Sequence, residues 1–432
     1  MEFTLPRGMR DIVPEDYRYL EMVREAFIET CRLFNFKLME PSPLEMLSTL
    51  EAKSGEAIKD EIYFFKDKGD RDVGLRFDLT IGTARYVASK RDMQLPARIG
   101  TFGSMFRYDE PQYGRYRWFY QWNVEIFGAK SIHAEAEIID LTSSILLRVG
   151  LRDIVIRIGD RRISESYLSN VLGVSDLEII SIMLRLLDKR SKKSEEEIIR
   201  EGIGKKIDPD KLRSLLNFSG VVGTLDGLVS QLKVVGYDSI DGDLPRLVRQ
   251  LKAKGIDNIQ IDLGLVRGLD YYTGIVFEVF DNQSKVGALA GGGRYDSLPK
   301  MFGRPELGAV GAAGGIERTI IVMQERKLES GRNMSERFVY IAYAQPEFKE
   351  EVATLCTELR GGNIPATYDL ADKSLRKQFE AASSMRSSLV IIIGRSEVSN
   401  HEVTIRNMAS GSEVRVARAK VRSFVFEQLK IS

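Results

Sequence analysis

Arginines set among tyrosines and small polar residues mark two segments, FRYDEPQYGRYRWFYQWNVEIFG at 106–128 and LVRGLDYYTG at 265–274. Arg107, Arg115 and Arg267 suit phosphate, because a guanidinium is a planar fork of donors that stays charged at any physiological pH. Gln121, Glu125, Tyr271 and Tyr272 supply acceptors and hydroxyls that a phosphate does not need. The mixture points to a nucleotide held next to a second, polar organic substrate. Arg318 lies in the first turn of a helix predicted to start near Glu317, within GAVGAAGGIERTIIVM at 308–323. A cation there opposes the helix dipole unless an anion neutralises it, which favours phosphate again. Taken alone, Arg107 and Arg115 fit surface ion pairs equally well. The glycines of GALAGGGRYDSL (287–298), Gly291, Gly292 and Gly293, either let a ligand approach the backbone or form a tight turn between strands. No GxxxxGKS/T loop and no GxGxxG ahead of a helix is present.

These residues must be positioned by a chain of 432 residues, long enough for two or three domains. Lys and Arg total 63 against 62 Asp and Glu, so a net charge of +1 excludes a general nucleic-acid coat and makes any nucleic-acid contact local. No signal-like leader and no apolar run of about 20 residues occurs, so cytoplasmic residence without membrane contact is expected. Cys31 and Cys356, His133 and His401 are too few for a zinc cluster or a disulfide framework, and both cysteines read as buried.

Apolar residues at helical spacing predict a long helix from Pro14 to about Phe36, stopped by the prolines of LMEPSPLE. Strands are predicted around 62–65, 74–77, 98–107 and 118–127, and an amphipathic helix over 134–149. Between about 165 and 250 a helical insertion is predicted, with capping-box spacing at Ser175 and Glu178 and again at Ser194 and Glu197. Strand resumes at Ile259 and runs from Ile275 to Phe280, with Tyr271 and Tyr272 alternating on it. Residues 326–337 read as a linker. After it FVYIAYA, IPATYD and SLVIIIG alternate with helical patterns, a small α/β domain over 338–432.

Taken together, these segments resemble the class II aminoacyl-tRNA synthetases, and within them the histidyl-tRNA synthetase family. LMEPSPLE looks like the first class motif, FRYDEPQYGRYRWFYQ the second and GGIER the third. LVRGLDYYTG and GALAGGGRYDSL resemble the two segments peculiar to the histidine-specific members, and LPRGMRDIVPED and LRFDLTIGTARY fit the same family. The resemblance implies an α+β chain. Its antiparallel-sheet catalytic domain would span 1–325, interrupted by the insertion and followed by an anticodon-binding domain. It implies ATP with Mg²⁺, L-histidine and tRNA(His) as ligands and a homodimer formed through the first motif, and it does not identify residues holding the Mg²⁺. Residue by residue, it places Arg107 on the α-phosphate, Arg115 and Arg318 on the outer phosphates, and Arg267 between the histidine carboxylate and the α-phosphate. Asp78, Thr80 and Gln121 would hold the ammonium; Glu125, Tyr271 and Tyr272 would surround the imidazole, and Tyr295 would close that pocket. Bacterial members commonly carry Glu, His and Asp where this chain has Asp78, Tyr120 and Asn123. The resemblance also leaves two other readings: a histidine-sensing regulatory subunit of ATP phosphoribosyltransferase, and a class II enzyme of another specificity. Arg267 in the intact LVRGLDYY segment and the appended C-terminal domain argue against the first, and the LVRGLDYY and GGGRYD segments against the second.

Overall fold

A computed structural model describes residues 3–110, 114, 116–191, 193–234, 236–237, 242–266, 272–328 and 337–429. The chain divides into two compact units, Met1–Leu328 and Glu329–Ser432.

In the first unit the helix Pro14–Leu33 has proline at its start and Glu15 and Asp16 in its first turn, where acidic side chains complement the dipole. It ends three residues earlier than the apolar spacing predicts. Asn35 adopts φ 57°, and the Phe36 N–H turns back to the Cys31 carbonyl at 2.8 Å. Leu20, Val23, Phe27 and Cys31 form its buried stripe. Phe27 stacks against Trp122 with centroids 6.3 Å apart. A Cβ at Gly100 would sit 2.8 Å from the Cys31 sulfur, so this glycine lets the helix lie close on the sheet.

The strands of this unit, in chain order, are β1 (Lys37–Met39), β2 (Leu44–Met46), β3 (Phe64–Lys66), β4 (Asp72–Leu75), β5 (Ala97–Phe106), β6 (Trp118–Phe127), β7 (Ile154–Asp160), β8 (Val222–Gly223), β9 (Ile259–Asp262), β10 (Ile275–Asp281), β11 (Ala290–Arg294) and β12 (Ala309–Gly315). Among the described residues, nine of them form one sheet in the order β1-β5-β6-β12-β11-β10-β7-β9-β8. Pairing is antiparallel except at β1·β5 and β7·β9. β2, β4 and β3 form a small sheet beside it. Gly291, Gly292 and Gly293 therefore lie in a strand, β11, and not in a turn. Tyr272 lies ahead of β10 and not on it, because strand pairing begins only at Ile275 after Gly274.

Helices fill most of Arg161–Ala253. The Ser194 and Glu197 box forms in both directions, at 3.3 and 2.8 Å. At the earlier site Asp176, one residue beyond Ser175, is the cap and accepts the N–H groups of Glu178 and Ile179. Its carboxylate outcompetes the serine one position back. Both cysteines are buried, and burial pushes the Cys31 thiol up to about 12.

The second unit carries β13 (Val339–Tyr343), β14 (Ala366–Tyr368), β15 (Leu389–Ile393), β16 (Glu402–Asn407) and β17 (Glu413–Ala417), ordered β14-β13-β15-β16-β17. The first three run parallel, with helices Lys349–Gly361 and Leu375–Ser384 in the crossovers, as in any α/β unit. No helix among the described residues is long and apolar enough to cross a membrane.

One strand pair generates a stability test. A Cβ on Gly311 of β12 would lie 1.7 Å from Glu125 Oε2 and 2.7 Å from the Val124 carbonyl. Gly311→Ala is expected to destabilise the first unit by about 1–3 kcal/mol in chemical denaturation. A midpoint equal to that of the unaltered chain would show that the strands separate without cost.

Candidate active site

β5 and β6 pair over ten residues, and the two-residue side-chain period of β6 puts Gln121, Asn123 and Glu125 on one face. Directly opposite them on β12 stand Gly315, Ala313 and Gly311. β11 continues the row with Gly291 opposite Ala313 and Gly293 opposite Gly311. Residues directly opposite share a face, so a row of polar side chains looks along a floor almost bare of side chains. A cavity of about 370 Å³ stands over it, lined by Asp78, Thr80, Arg107, Gln121, Tyr272 and Arg318 among others.

The polar row is joined by hydrogen bonds. Gln121 Nε2 donates to Asn123 Oδ1 at 2.7 Å, and Asn123 Nδ2 donates to Thr80 Oγ1 at 2.9 Å. Thr80 Oγ1 donates to Glu125 Oε1 at 2.8 Å. Asp78 accepts the Ile81 N–H at 3.0 Å, anchoring the start of helix Thr80–Ser89 and so the place of the threonine. Glu125, only 1 % exposed, lies beneath this row and not on the cavity wall.

Two cations approach from separate elements. Arg107 follows β5 directly; its Nε donates to the Phe77 carbonyl at 3.0 Å, and its guanidinium sits 5.2 Å from the Phe119 ring centroid. Arg318 is the third residue of helix Ile316–Glu325, and its Nη1 donates to the Ala288 carbonyl at 3.0 Å. Arg115, Arg267 and Tyr271 lie outside the described residues.

Tyr272 reaches the cavity wall, whereas Tyr295, 2 % exposed, packs behind it at 6.3 Å, edge to face. Arg294 fixes this corner: it grips Glu135 with two nitrogens at 2.5 and 2.7 Å and reaches Asp296 at 3.1 Å. Its carbonyl accepts the Thr273 N–H at 2.8 Å, next to Tyr272.

Among the wall residues with no site role in the sequence reading are Tyr116, Phe119 and Glu317. Phe119 had a signal, since it alternates with Gln121 on β6. Glu317 had its place beside Arg318. It is 6 % exposed and accepts the Tyr120 N–H at 2.9 Å and an Arg10 nitrogen at 3.4 Å. Burial pushes its carboxyl up, and these two donors pull it down. The cavity thus joins two guanidinium groups, an aromatic face and the carboxylates of Asp78, Asp109 and Glu317 to a polar row, room for a phosphorylated ligand and a small polar one side by side.

A family profile described as histidyl-tRNA synthetase matches residues 8–318, and one described as an anticodon binding domain matches 338–428. A protein of Pyrobaculum islandicum named histidine–tRNA ligase is 34% identical over 94% of this chain and 94% of its own length. One of the same name from Pyrococcus horikoshii is 35% identical over 98% and 99%. The crystal structure of histidyl-tRNA synthetase from a Nostoc species aligns with TM-score 0.80 and 22% identity, over 99% of this chain and 100% of that one. A structure from Bacillus halodurans, titled as an ATP phosphoribosyltransferase regulatory subunit/histidyl-tRNA synthetase, aligns at 0.74 and 24%, over 91% and 99%. With a family match over most of the chain and full-length relatives above 30% identity, the chain belongs to the histidyl-tRNA synthetase family.

Proposed function

We infer that this chain activates L-histidine with ATP to histidyl-adenylate and transfers the histidyl group to the 3′ end of tRNA(His). The observation that carries the reading is the convergence of Arg107 and Arg318, from two distant sequence motifs, on one cavity beside the Gln121, Asn123 and Thr80 row.

A histidine carboxylate is ionised at neutral pH, so it attacks the α-phosphorus without a general base; the new C–O–P link forms as the bond to pyrophosphate breaks. The step brings two anions together. Arg107 is proposed on the α-phosphate, Arg318 and Arg115 on the outer phosphates, and Arg267 between carboxylate and phosphorus, where fixed cations orient the attack and offset developing charge. In the second step a hydroxyl of the terminal adenosine attacks the acyl carbon and AMP leaves. Asp78, Thr80 and Gln121 are proposed at the ammonium, and Tyr271 and Tyr272 around the imidazole, with Glu125 acting from behind through Thr80 and Tyr295 closing the pocket behind Tyr272. Such paired groups give specificity, because another amino acid leaves buried partners unmatched.

Mg²⁺ is proposed to enter on the ATP phosphates, where it offsets their charge. No three Asp, Glu, His or Cys side chains converge among the described residues, so those residues build no cage for it and no step here depends on one. We place the chemistry in residues 1–325 and anticodon binding in 338–432, with 326–337 linking them, and expect the protein in the cytoplasm.

ATP–pyrophosphate exchange tests this reading. It should require histidine and Mg²⁺ and fall by roughly 10²-fold or more in a folded Arg267→Ala variant, the usual cost of removing one preorganised charge partner. Histidine binding without exchange would favour a regulatory subunit, and exchange with a different amino acid another class II specificity.

A homodimer through Pro41–Glu45 is also proposed. β1 is the edge of the large sheet there, and Leu38, Leu44 and Met46 are exposed. Light scattering at micromolar concentration should give twice the chain mass of 48.8 kDa; a monomer would overturn the proposal.

Truncation after Lys327 should leave exchange measurable and sharply weaken tRNA charging, because a second binding surface acts through effective concentration and not on the chemistry. It should also lessen the salt sensitivity of tRNA binding, since the removed segment from Arg395 onward carries seven basic and four acidic residues. A folded, dimeric truncation that charges tRNA(His) normally at low tRNA concentration would assign residues 338–432 another task.

A further inference from the structure

The N-terminal segment ahead of the first helix has no part in the site as described, yet it is tied to the cavity wall at several points. The Met9 N–H closes a turn onto the Pro6 carbonyl at 3.0 Å, with Gly8 at φ 83°, a value that favours glycine. That turn is pinned to the segment between β5 and β6. The Gly8 carbonyl accepts the Arg117 N–H at 3.0 Å, and Arg7 pairs with Glu110 at 2.8 Å. The chain then delivers Arg10 to a fixed place behind the cavity. Its guanidinium carbon lies 4.0 Å from the centroid of the Tyr116 ring, Nη2 is 3.4 Å from Glu317 Oε1, and Nη1 is 3.5 Å from Asp16 Oδ2. Asp16 is itself held by Gln324 at 3.0 Å, from the helix that carries Glu317 and Arg318.

Tyr116 and Glu317 line the cavity; Arg10 does not. It borders a smaller pocket on their far side, together with Asp16 and Tyr120. We propose that Arg10 is a positioning residue of the nucleotide half of the active site: by stacking on Tyr116 and pairing with Glu317, it locks the loop before β6 to the start of helix Ile316–Glu325. The inference rests on reading this cavity as the ATP pocket. The two walls that meet at Arg10 belong to different sequence motifs, and the described hydrogen bond joining them directly is that from the Tyr120 N–H to Glu317. A cation that stacks and pairs at once fits arginine, whose planar head offers a face and an edge together. The polar row at Gln121, Asn123 and Thr80 makes no described contact with Arg10, so the amino-acid half is expected to be indifferent to it.

Two variants of the full-length protein, Arg10→Gln and Arg10→Lys, test this by exchange kinetics and by calorimetric titration with ATP alone. Arg10→Gln should raise the ATP KM and the ATP dissociation constant by about tenfold or more, as expected for a lost hydrogen bond to a charged group. The histidine KM should stay within about twofold. Arg10→Lys, which keeps the charge and loses the planar face, should fall between the two. Should Arg10→Gln not fold, the lysine variant decides: a raised ATP dissociation constant with unchanged histidine KM supports the inference. ATP parameters unchanged in the folded variants, or ATP and histidine KM rising together, overturn it. Failure of the unaltered chain to exchange with histidine would count against the function instead, while the calorimetric comparison would still judge Arg10.

Discussion

A large polar side chain on a strand can be buried beside a ligand only if the neighbouring strands give up their own side chains, and the first unit is built around that constraint. Glu125, Asn123 and Gln121 occupy one face of β6, and their partners on β12 are Gly311, Ala313 and Gly315. The next strand answers with Gly291 and Gly293. Adding one carbon to Gly311 would place it inside the Glu125 carboxylate, and one on Gly292 would meet the Gly311 carbonyl at 2.1 Å. The glycines of β11 and β12 therefore keep strands close and the floor empty, two demands that no other residue type meets together. On the opposite face the same constraint reappears with an apolar partner, since a Cβ on Gly314 would collide with Trp122.

Much of this was legible before any coordinates. The strand predicted at 118–127 matches β6, and the Ser194 and Glu197 box marks its helix start. Arg107, Arg318, Asp78, Thr80, Gln121 and Tyr272, picked from scattered motifs, line one cavity. What the sequence leaves open has a common cause. Glycine-rich sequence has turn propensity, so GALAGGG fits a hairpin as well as a strand until the bulky row of β6 is known to lie across it. Tyr272 follows strand-like residues but is held by Thr273 and Arg294, partners 21 residues apart in sequence. The depth of Glu125 and Tyr295 behind the wall depends on which strand covers which, and spacing along a single strand carries no such information. Glu317 and Phe119 carry no phosphate-donor group, so a search for phosphate contacts along the sequence does not single them out.

The same limit explains why two further arginines drew no attention in the sequence. Arg76 is 3 % exposed; it donates to the Ser104 carbonyl at 2.8 Å, the Pro41 carbonyl at 2.6 Å and Glu40 at 2.8 Å. Arg294 does the equivalent at the other end, holding Glu135, Asp296 and the Ala129 carbonyl. Each stands where strands end and backbone carbonyls lose their sheet partners. Five donors spread over a rigid planar fork reach acceptors lying in several directions, whereas lysine carries its three donors on one nitrogen.

Burying these cations has an energetic consequence that bears on the site. A buried, fully hydrogen-bonded ion pair adds little to stability relative to an apolar replacement, yet removing one partner strands a charge in the interior. Arg294, paired with the buried Glu135, is thus a poor source of folding energy and a strong source of geometric definition; Arg76, whose partner Glu40 is largely exposed, gives definition through its bonds to the Ser104 and Pro41 carbonyls. Arg76 sits two residues from Asp78 and four from Thr80; Arg294 is tied through Thr273 to Tyr272. A cavity that must distinguish one small polar molecule from others needs its donors and acceptors held more closely than hydrophobic contact alone holds them. The two buried arginines supply that restraint on opposite flanks of the glycine floor, outside the row of groups that line the cavity.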